Sequence, residues 1–250
     1  MDQLDLFWSW LKEAKHAVFF GGAGVSTDSG LTDFRSAKTG LYHQKLAFGY
    51  PPEKLLSHAF FETHPEIFFD FYRTKLLNLA APPNITHYVL AELEQAGMLA
   101  AIITQNGDCL HQMAGHKRVL DIHGNVYDNT CLACGKKHPA ETIADSTGIP
   151  RCECGGIIRP GILLFDEVPD MRIVMESVRE LNACDLLVIG GTSLRVSSAV
   201  RLLRNLNNKR IVIINNEPTA LDDKADLILR RQIGDVFREI KERLELEAIP

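Results

Sequence analysis

The stretch Ala17-Val18-Phe19-Phe20-Gly21-Gly22-Ala23-Gly24-Val25-Ser26 decides the fold. Four apolar residues run straight into glycine with no polar residue between them, the pattern of a strand buried on both faces. Glycines at the end of such a strand let the backbone approach a diphosphate. Ser26 and Thr27 are then placed to cap a helix whose N-terminal amides face the phosphates. A plain tight turn fits the same letters. Thr27 stands where the third glycine of G-x-G-x-x-G would fall, and no acidic residue closes a second strand about 20 residues on.

Outward from this stretch the same kind of run recurs at 99–104, 185–189, 210–214 and 225–229. Amphipathic segments alternate with these runs: 1–11 (Leu4, Phe7, Trp8, Leu11), 85–95 after Pro82 and Pro83, 171–181, 197–205 and 233–244. The last carries Ile233, Val236, Phe237, Ile240 and Leu244 on one 3.6-residue stripe. Strand and helix in alternation predict an α/β fold, a Rossmann-like doubly wound parallel sheet built from residues 1–36, 81–124 and 160–250. Ligands then sit beyond the carboxyl ends of the strands. Two segments break the rhythm. Residues 37–80 are rich in aromatic side chains, including Tyr42, Phe48, Tyr50, Phe60, Phe61, Phe68, Phe69, Phe71 and Tyr72, and predict a helical insertion lining a cleft. Residues 125–159 are poor in apolar side chains and need a staple to fold as a small lobe.

That staple is legible. Of the six cysteines, Cys131, Cys134, Cys152 and Cys154 form C-x2-C, a 17-residue gap and C-x-C. Two close thiolate pairs supply a tetrahedral sulfur set, so one structural zinc per chain is expected, with no position left open for a reacting water; an iron-sulfur site or free thiols are the alternatives. Cys184 reads as small core filling and Cys109 as a packing residue. A chain of 250 residues with 46% hydrophobic and 24% charged residues is an ordinary globular composition, which excludes disordered, collagen-like and coiled-coil classes. The net charge of −5 argues against nucleic acid as the main ligand and suits basic partners. No run approaches the ~18 apolar residues of a membrane span, and residues 1–11 lack the basic start and small-residue cleavage site of a secretory signal, so no export signal is expected. Neither membrane nor nucleic-acid binding is therefore expected, and the expected compartment is the cytoplasm.

Several short motifs now stand in one order: Gly22-Ala23-Gly24-Val25-Ser26, Asp33-Phe34-Arg35, Thr104-Gln105-Asn106-Gly107-Asp108, His123-Gly124, the four cysteines and Gly191-Thr192-Ser193-Leu194. In this order and spacing the sequence resembles the sirtuins, the NAD-dependent protein-lysine deacylases. The resemblance implies that Gly22, Ala23, Gly24 and Ser26 cradle the NAD diphosphate and that Asp33, Phe34 and Arg35 lie in a loop closing over the nicotinamide ribose. It places Gln105, Asn106 and Asp108 at the nicotinamide and ribose, with His123 as general base. Gly191, Thr192, Ser193, Asn215 and Glu217 would hold the adenosine half. Leu163, Phe165, Leu194 and Val196 would pin the backbone of the acylated substrate as an added strand. The implied chemistry sets the acyl oxygen against the ribose carbon in a water-excluding pocket while a neutral imidazole removes a ribose hydroxyl proton. The products the resemblance implies are free lysine, nicotinamide and O-acyl-ADP-ribose.

The sequence departs from the family text at Thr32 (usually Pro), Gly107 (usually apolar), Cys109 (usually Gly), Asp166 (usually Gly) and Ser198 (usually Pro). An added carboxylate at 166 favours lysine- or arginine-rich flanks on the substrate. The stretch Phe69-Asp70-Phe71-Tyr72 lacks the Tyr-x-x-Arg of desuccinylating relatives, so acetyl or a longer neutral acyl group is the expected cargo. Two other functions fit the same residues: mono-ADP-ribosyl transfer to a protein, and a non-catalytic NAD-binding scaffold.

Overall fold

A computed structural model describes residues 2–34, 40–43, 48–195, 197–204 and 206–247. Its strands are β1 Ala17–Gly21, β2 Ala101–Thr104, β3 Val119–Asp121, β4 Asn129–Cys131, β5 Lys137–His138, β6 Ile158–Arg159, β7 Leu186–Gly190, β8 Arg210–Ile214 and β9 Leu227–Leu229. Its α-helices are α1 Gln3–Glu13, α2 Pro52–Leu55, α3 His58–Thr63, α4 Pro65–Phe71, α5 Ile85–Gln95, α6 Leu110–Met113, α7 Glu141–Ala144, α8 Met171–Ala183, α9 Ser197–Leu202 and α10 Ile233–Glu247.

Six strands form one parallel sheet in the order β3-β2-β1-β7-β8-β9, and β4, β5 and β6 form a separate antiparallel sheet. Alternate residues of β1 serve opposite faces. Phe19 joins Leu4, Phe7, Leu11, Val89, Leu93, Val236, Phe237 and Ile240 under α1, α5 and α10. Val18 and Phe20 join Leu181, Ala199 and Leu203 under α8 and α9. Helices on both faces make the sheet doubly wound, and burial on both faces is why its strands read as unbroken apolar runs. The helices start where their caps predict. Asp2 accepts from the Gln3 amide at the head of α1, and Asn84 with His87 forms a reciprocal capping box at the head of α5.

Three expectations change. The short edge strand β3 has only Val119 and Leu120 as apolar members, too few to announce itself; its pairing with β2 makes it a strand. The chain after β1 does not enter an α-helix. It makes two 3-10 turns, Ala23–Val25 and Thr27–Ser29, ended by Gly30 in the left-handed region at φ 81°. Ser26 caps neither turn, because its hydroxyl is engaged elsewhere. Finally, the aromatic insertion and the cysteine-bearing segment share one core. Phe60, Phe61, Phe68, Phe69, Phe71 and Tyr72 pack with Val126, Cys131, Ile143, Cys152 and Ile158.

Beneath the sheet's glycine loop lies a knot of buried imidazoles. His87 on α5 and His111 on α6 meet edge to face with centroids 4.7 Å apart, and His111 also abuts Phe19. His87 Nδ1 accepts from the Asn84 amide, while its Nε2 and both ring nitrogens of His111 have no hydrogen-bond partner. His116 is buried beside them, its Nδ1 3.3 Å from Glu94 Oε1. Burial pulls His87 down to about 4, His111 well below its usual value and His116 below it too. Above about pH 6.5 both folded and unfolded chains hold these rings neutral. Below it the unfolded chain takes up protons that the folded chain refuses, so stability falls as pH drops from about 6.5 towards 4, by about 3 kcal/mol for His87 alone. Urea unfolding across this window should show a steep loss that flattens in His87→Gln; equal slopes in the two proteins would refute the assignment.

Candidate active site

In chain order the sheet grows outward from β1 through β2 to β3, then returns to β7 on the other side of β1 and grows outward again. The crevice where the direction reverses, beyond the carboxyl ends of β1 and β7, is where a doubly wound sheet takes its ligand. Both strands end there in glycine pairs. The Gly22 amide donates to Gly190 O (3.2 Å) and the Gly24 amide to Gly191 O (2.8 Å). This approach needs glycine: a Cβ on Gly24 would stand 2.8 Å from Gly191 Cα, and Gly191 itself lies at φ 59°. Thr192, Ser193 and the loop after β8 complete the rim. Asn215 Nδ2 donates to Glu217 O (2.7 Å), and Arg230 ties Glu217 O from outside.

The loop after β2 supplies a connected set of polar side chains. Asn106 Nδ2 donates to Gly22 O and to Ser26 Oγ, each at 3.1 Å. Ser26 Oγ donates in turn to Asp108 Oδ2 at 2.7 Å, and Asp108 Oδ1 accepts from the Leu110 amide. Gln105 Nε2 reaches Thr192 Oγ1 at 2.9 Å, bridging the two halves of the crevice. Burial raises the Asp108 carboxyl above its usual value, with the Ser26 bond opposing. These carboxamides, hydroxyls and one carboxylate are the donors and acceptors that a pyridine carboxamide and ribose hydroxyls require.

His123 follows β3 at the same end of the sheet. Its Nδ1 donates to Gln105 O at 3.2 Å, which assigns the neutral ring's proton to Nδ1 and its lone pair to Nε2. Burial lowers its pKa below the usual histidine value, so the ring is neutral at pH 7. The His123 carbonyl accepts from the Leu163 amide (2.7 Å), joining the ring's backbone to the segment 163–167. That segment is held from behind. Phe165 exchanges backbone bonds with Leu56 and His58, and Glu167 is gripped by Arg159, by His58 and by the Leu164 amide. Phe165 remains 39% exposed, whereas Leu194, at φ 53°, is buried.

Asp33 and Phe34 sit where the chain leaves the glycine loop, their carbonyls accepting from the Leu41 and Tyr42 amides. Phe34 packs edge to face on Tyr42. Arg35 and Val196 lie outside the described residues. Of the other expected residues, Gly22, Ala23, Gly24, Ser26, Gln105, Asn106, Asp108, His123, Gly191, Thr192, Ser193, Asn215 and Glu217 gather at one end of the sheet, with Leu163, Phe165 and Leu194 alongside. The structure adds Asn84, whose Nδ2 holds Val25 O and Ser29 Oγ and so braces the glycine loop. Asn84 announces itself in sequence only as the cap after Pro82 and Pro83. The structure adds Thr104 too, whose Oγ1 accepts from the Asn106 amide.

The four cysteines, the first of them eight residues after His123 in the chain, come together in space. Their sulfurs all lie within 4.8 Å of one another, with Cys131 to Cys154 at 3.5 Å and Cys134 to Cys152 at 3.8 Å. Tetrahedral Zn–S bonds of about 2.3 Å place sulfurs about 3.8 Å apart, so the set fits zinc. Each pair sits on a turn that glycine closes. Gly135 (φ 73°) donates to Cys131 O, and Gly155 (φ 85°) donates to Cys152 O. A Cβ on Gly156 would stand 2.7 Å from Cys131 Sγ.

Residues 22–198 match the Sir2 family model. The chain is 45% identical over 242 residues to an NAD-dependent protein deacetylase of Clostridium acetobutylicum, covering 96% of this chain and 98% of that one. It is also 45% identical to an NAD-dependent protein deacetylase of Cutibacterium acnes, covering 93% and 95%. Among solved structures, a Sir2 complex with p53 peptide and NAD+ superimposes with a TM-score of 0.86 at 33% identity, covering 98% of this chain and 100% of that one. A Sir2 complex with deacetylated p53 peptide and 3′-O-acetyl ADP-ribose gives 0.89 at 34% identity, covering 96% and 98%. Motif order, switch-point crevice, cysteine centre and these likenesses agree, and the chain belongs to the Sir2 family.

Proposed function

We propose that this protein removes acyl groups, acetyl or a longer neutral chain, from protein lysines with consumption of NAD, releasing nicotinamide and O-acyl-ADP-ribose. The observation that carries the reading is a part-buried, neutral His123 whose Nδ1 is bonded to the Gln105 carbonyl in the loop of the crevice and whose own carbonyl accepts from the Leu163 amide. NAD supplies a glycosidic bond to nicotinamide that breaks readily and a ribose to receive the acyl group. The remaining work falls to this chain's side chains.

Gly22, Ala23, Gly24 and Ser26 offer a tight loop whose glycines let the backbone approach the diphosphate, with Thr192 and Ser193 on the loop after β7 beside it. Asn215 and Glu217 border the adenosine half. Gln105, Asn106 and Asp108 take the carboxamide and ribose hydroxyls, their orientation set by the chain of bonds through Ser26. Asp33, Phe34 and Arg35 belong to the loop over the nicotinamide ribose, where an aromatic ring excludes water. Leu163, Phe165, Leu194 and Val196 hold the substrate backbone as an added strand, so the acyl-lysine is delivered beside His123. His123 accepts a ribose hydroxyl proton at Nε2, and the Gln105 carbonyl on Nδ1 steadies the ring as it becomes charged. Cys131, Cys134, Cys152 and Cys154 hold zinc remote from this chemistry. A four-thiolate centre belongs in a reducing compartment, consistent with the cytoplasm.

Incubating the protein with NAD and acetyl-, propionyl- and succinyl-lysine peptides, read by mass spectrometry, tests this. Peptide-dependent nicotinamide release with loss of acetyl or propionyl is the expected result. Label from NAD appearing on the target protein would establish ADP-ribosyl transfer instead, absence of nicotinamide release with every peptide would establish a scaffold, and succinyl outrunning acetyl would overturn the acyl assignment.

A further inference from the structure

We infer that the Asp166 carboxylate selects acyl-lysines flanked by lysine or arginine, a specificity that rests on the deacylase reading above. Asp166 occupies the third position of a tight turn from Leu164 to Glu167, closed by the Glu167 amide donating to Leu164 O (3.3 Å), and its φ of 72° is one that glycine adopts freely and an aspartate only at some cost. The turn places the carboxylate one residue beyond Phe165, on the wall of a cavity of about 760 Å³. Leu163 and the two chain neighbours of His123, Ile122 and Gly124, line the same cavity.

The charges around that wall are spoken for, except one. Glu167 is held by Arg159 and His58, Asp170 by Arg172, and Asp128 by Lys137. Asp121 accepts from Gln112 and Asn125. Asp166 has no hydrogen bond or ion pair with any described residue, and both arginines of the wall, Arg159 and Arg172, are already paired. A substrate strand running past Phe165 advances about 3.3 Å per residue, which brings residues one or two places from the acyl-lysine within a long basic side chain's reach of position 166. A lysine or arginine there gains a partner, and an aspartate or glutamate meets a like charge.

The test is a set of acetyl-lysine peptides identical except for flanks carrying lysine, alanine or glutamate. Relative kcat/KM and binding by fluorescence anisotropy are measured for the natural protein and for Asp166→Asn and Asp166→Gly. Asparagine keeps the shape and tolerates the left-handed backbone; glycine removes the side chain. An exposed pair is worth up to about fivefold, so attraction and repulsion together make the lysine-to-glutamate ratio on the order of tenfold at low salt. Both variants should bring that ratio to near unity. In the natural protein it should fade from about 0.01 M to about 1 M salt, where the screening length falls from about 30 to about 3 Å. Ratios taken within each variant cancel any general loss of activity. A ratio equal in all three proteins would overturn the inference while leaving deacylation standing. Turnover of no peptide at all would overturn the deacylase reading, and the anisotropy ranking would still decide the role of Asp166.

Discussion

His123→Ala lowers deacylation of an acetyl-lysine peptide by a factor of about 10² or more and leaves NAD binding within a few-fold of the natural protein. The split follows from where the ring stands. Residues assigned to the diphosphate and adenosine lie on the loops after β1, β7 and β8, held by bonds to one another, to the strand ends and to Gln105. His123 Nδ1 donates to Gln105 O in the β2 loop, so loss of the ring removes a proton acceptor while Asn106 and Asp108 stay held by Ser26 and the Leu110 amide. Burial lowers the ring's pKa, so the basic form persists below the usual histidine value and is lost only as pH falls further. The acid limb of kcat/KM should therefore lie below about pH 6.5. Isothermal titration with NAD and single-turnover assays across pH 5 to 9 measure all three quantities. Undiminished turnover in the variant would remove His123 from the chemistry, and a parallel collapse of NAD binding would make it a structural residue of the crevice.

What the sequence reveals here, and what it withholds, divides by the range of the interaction. Phe19 and Phe20 running into Gly21 is a local signal, because a strand buried on both faces has no polar position to spare. The parallel sheet and its crevice therefore follow from the letters. The cysteine spacing is legible for the same reason: each pair is made by one turn. The conformation after β1 is not local. Ser26 looks like a helix cap until Asp108, far along the chain, takes its hydroxyl. Nothing near Asn84 says that it will reach across to Val25 and Ser29. The common core of the insertion and the cysteine-bearing segment is likewise invisible, since Cys131, Ile143 and Ile158 are isolated apolar residues until Phe61 and Phe68 cover them. The departures at 109 and 166 gain a physical meaning only in three dimensions. Cys109 (φ 61°) and Asp166 (φ 72°) both keep the left-handed backbone that glycine would occupy without cost.

Chelation should release one zinc per chain and unfold residues 129–159 while leaving the parallel sheet folded. The sulfurs of Cys131, Cys134, Cys152 and Cys154 lie within 4.8 Å of one another. Without a cation, four thiols at that spacing have no attraction strong enough to hold two turns and a three-stranded sheet of two- and three-residue strands. In small zinc modules the metal supplies about 10–16 kcal/mol, more than such a sheet could contribute. The damage should travel in one direction. Cys131 and Cys152 are buried in the cluster that also packs Phe60, Phe61, Phe68 and Phe69, so α3 and α4 lose part of their cover. The two clusters on either face of the parallel sheet contain none of these residues and keep their packing. Amide exchange with and without a strong chelator reads this directly: protection at β4, β6 and α7 should vanish, that at α3 and α4 should fall, and that at β1, β7 and β8 should hold. Deacylation should go with the lobe, because Arg159 within it grips Glu167, which also holds the Leu164 amide and so fixes the segment carrying Leu163 and Phe165, whereas NAD should still bind the crevice. A metal-free chain with exchange protection intact at 129–159 would show that packing alone supports the lobe, and simultaneous loss at β1 and β7 would show that the two parts fold as one.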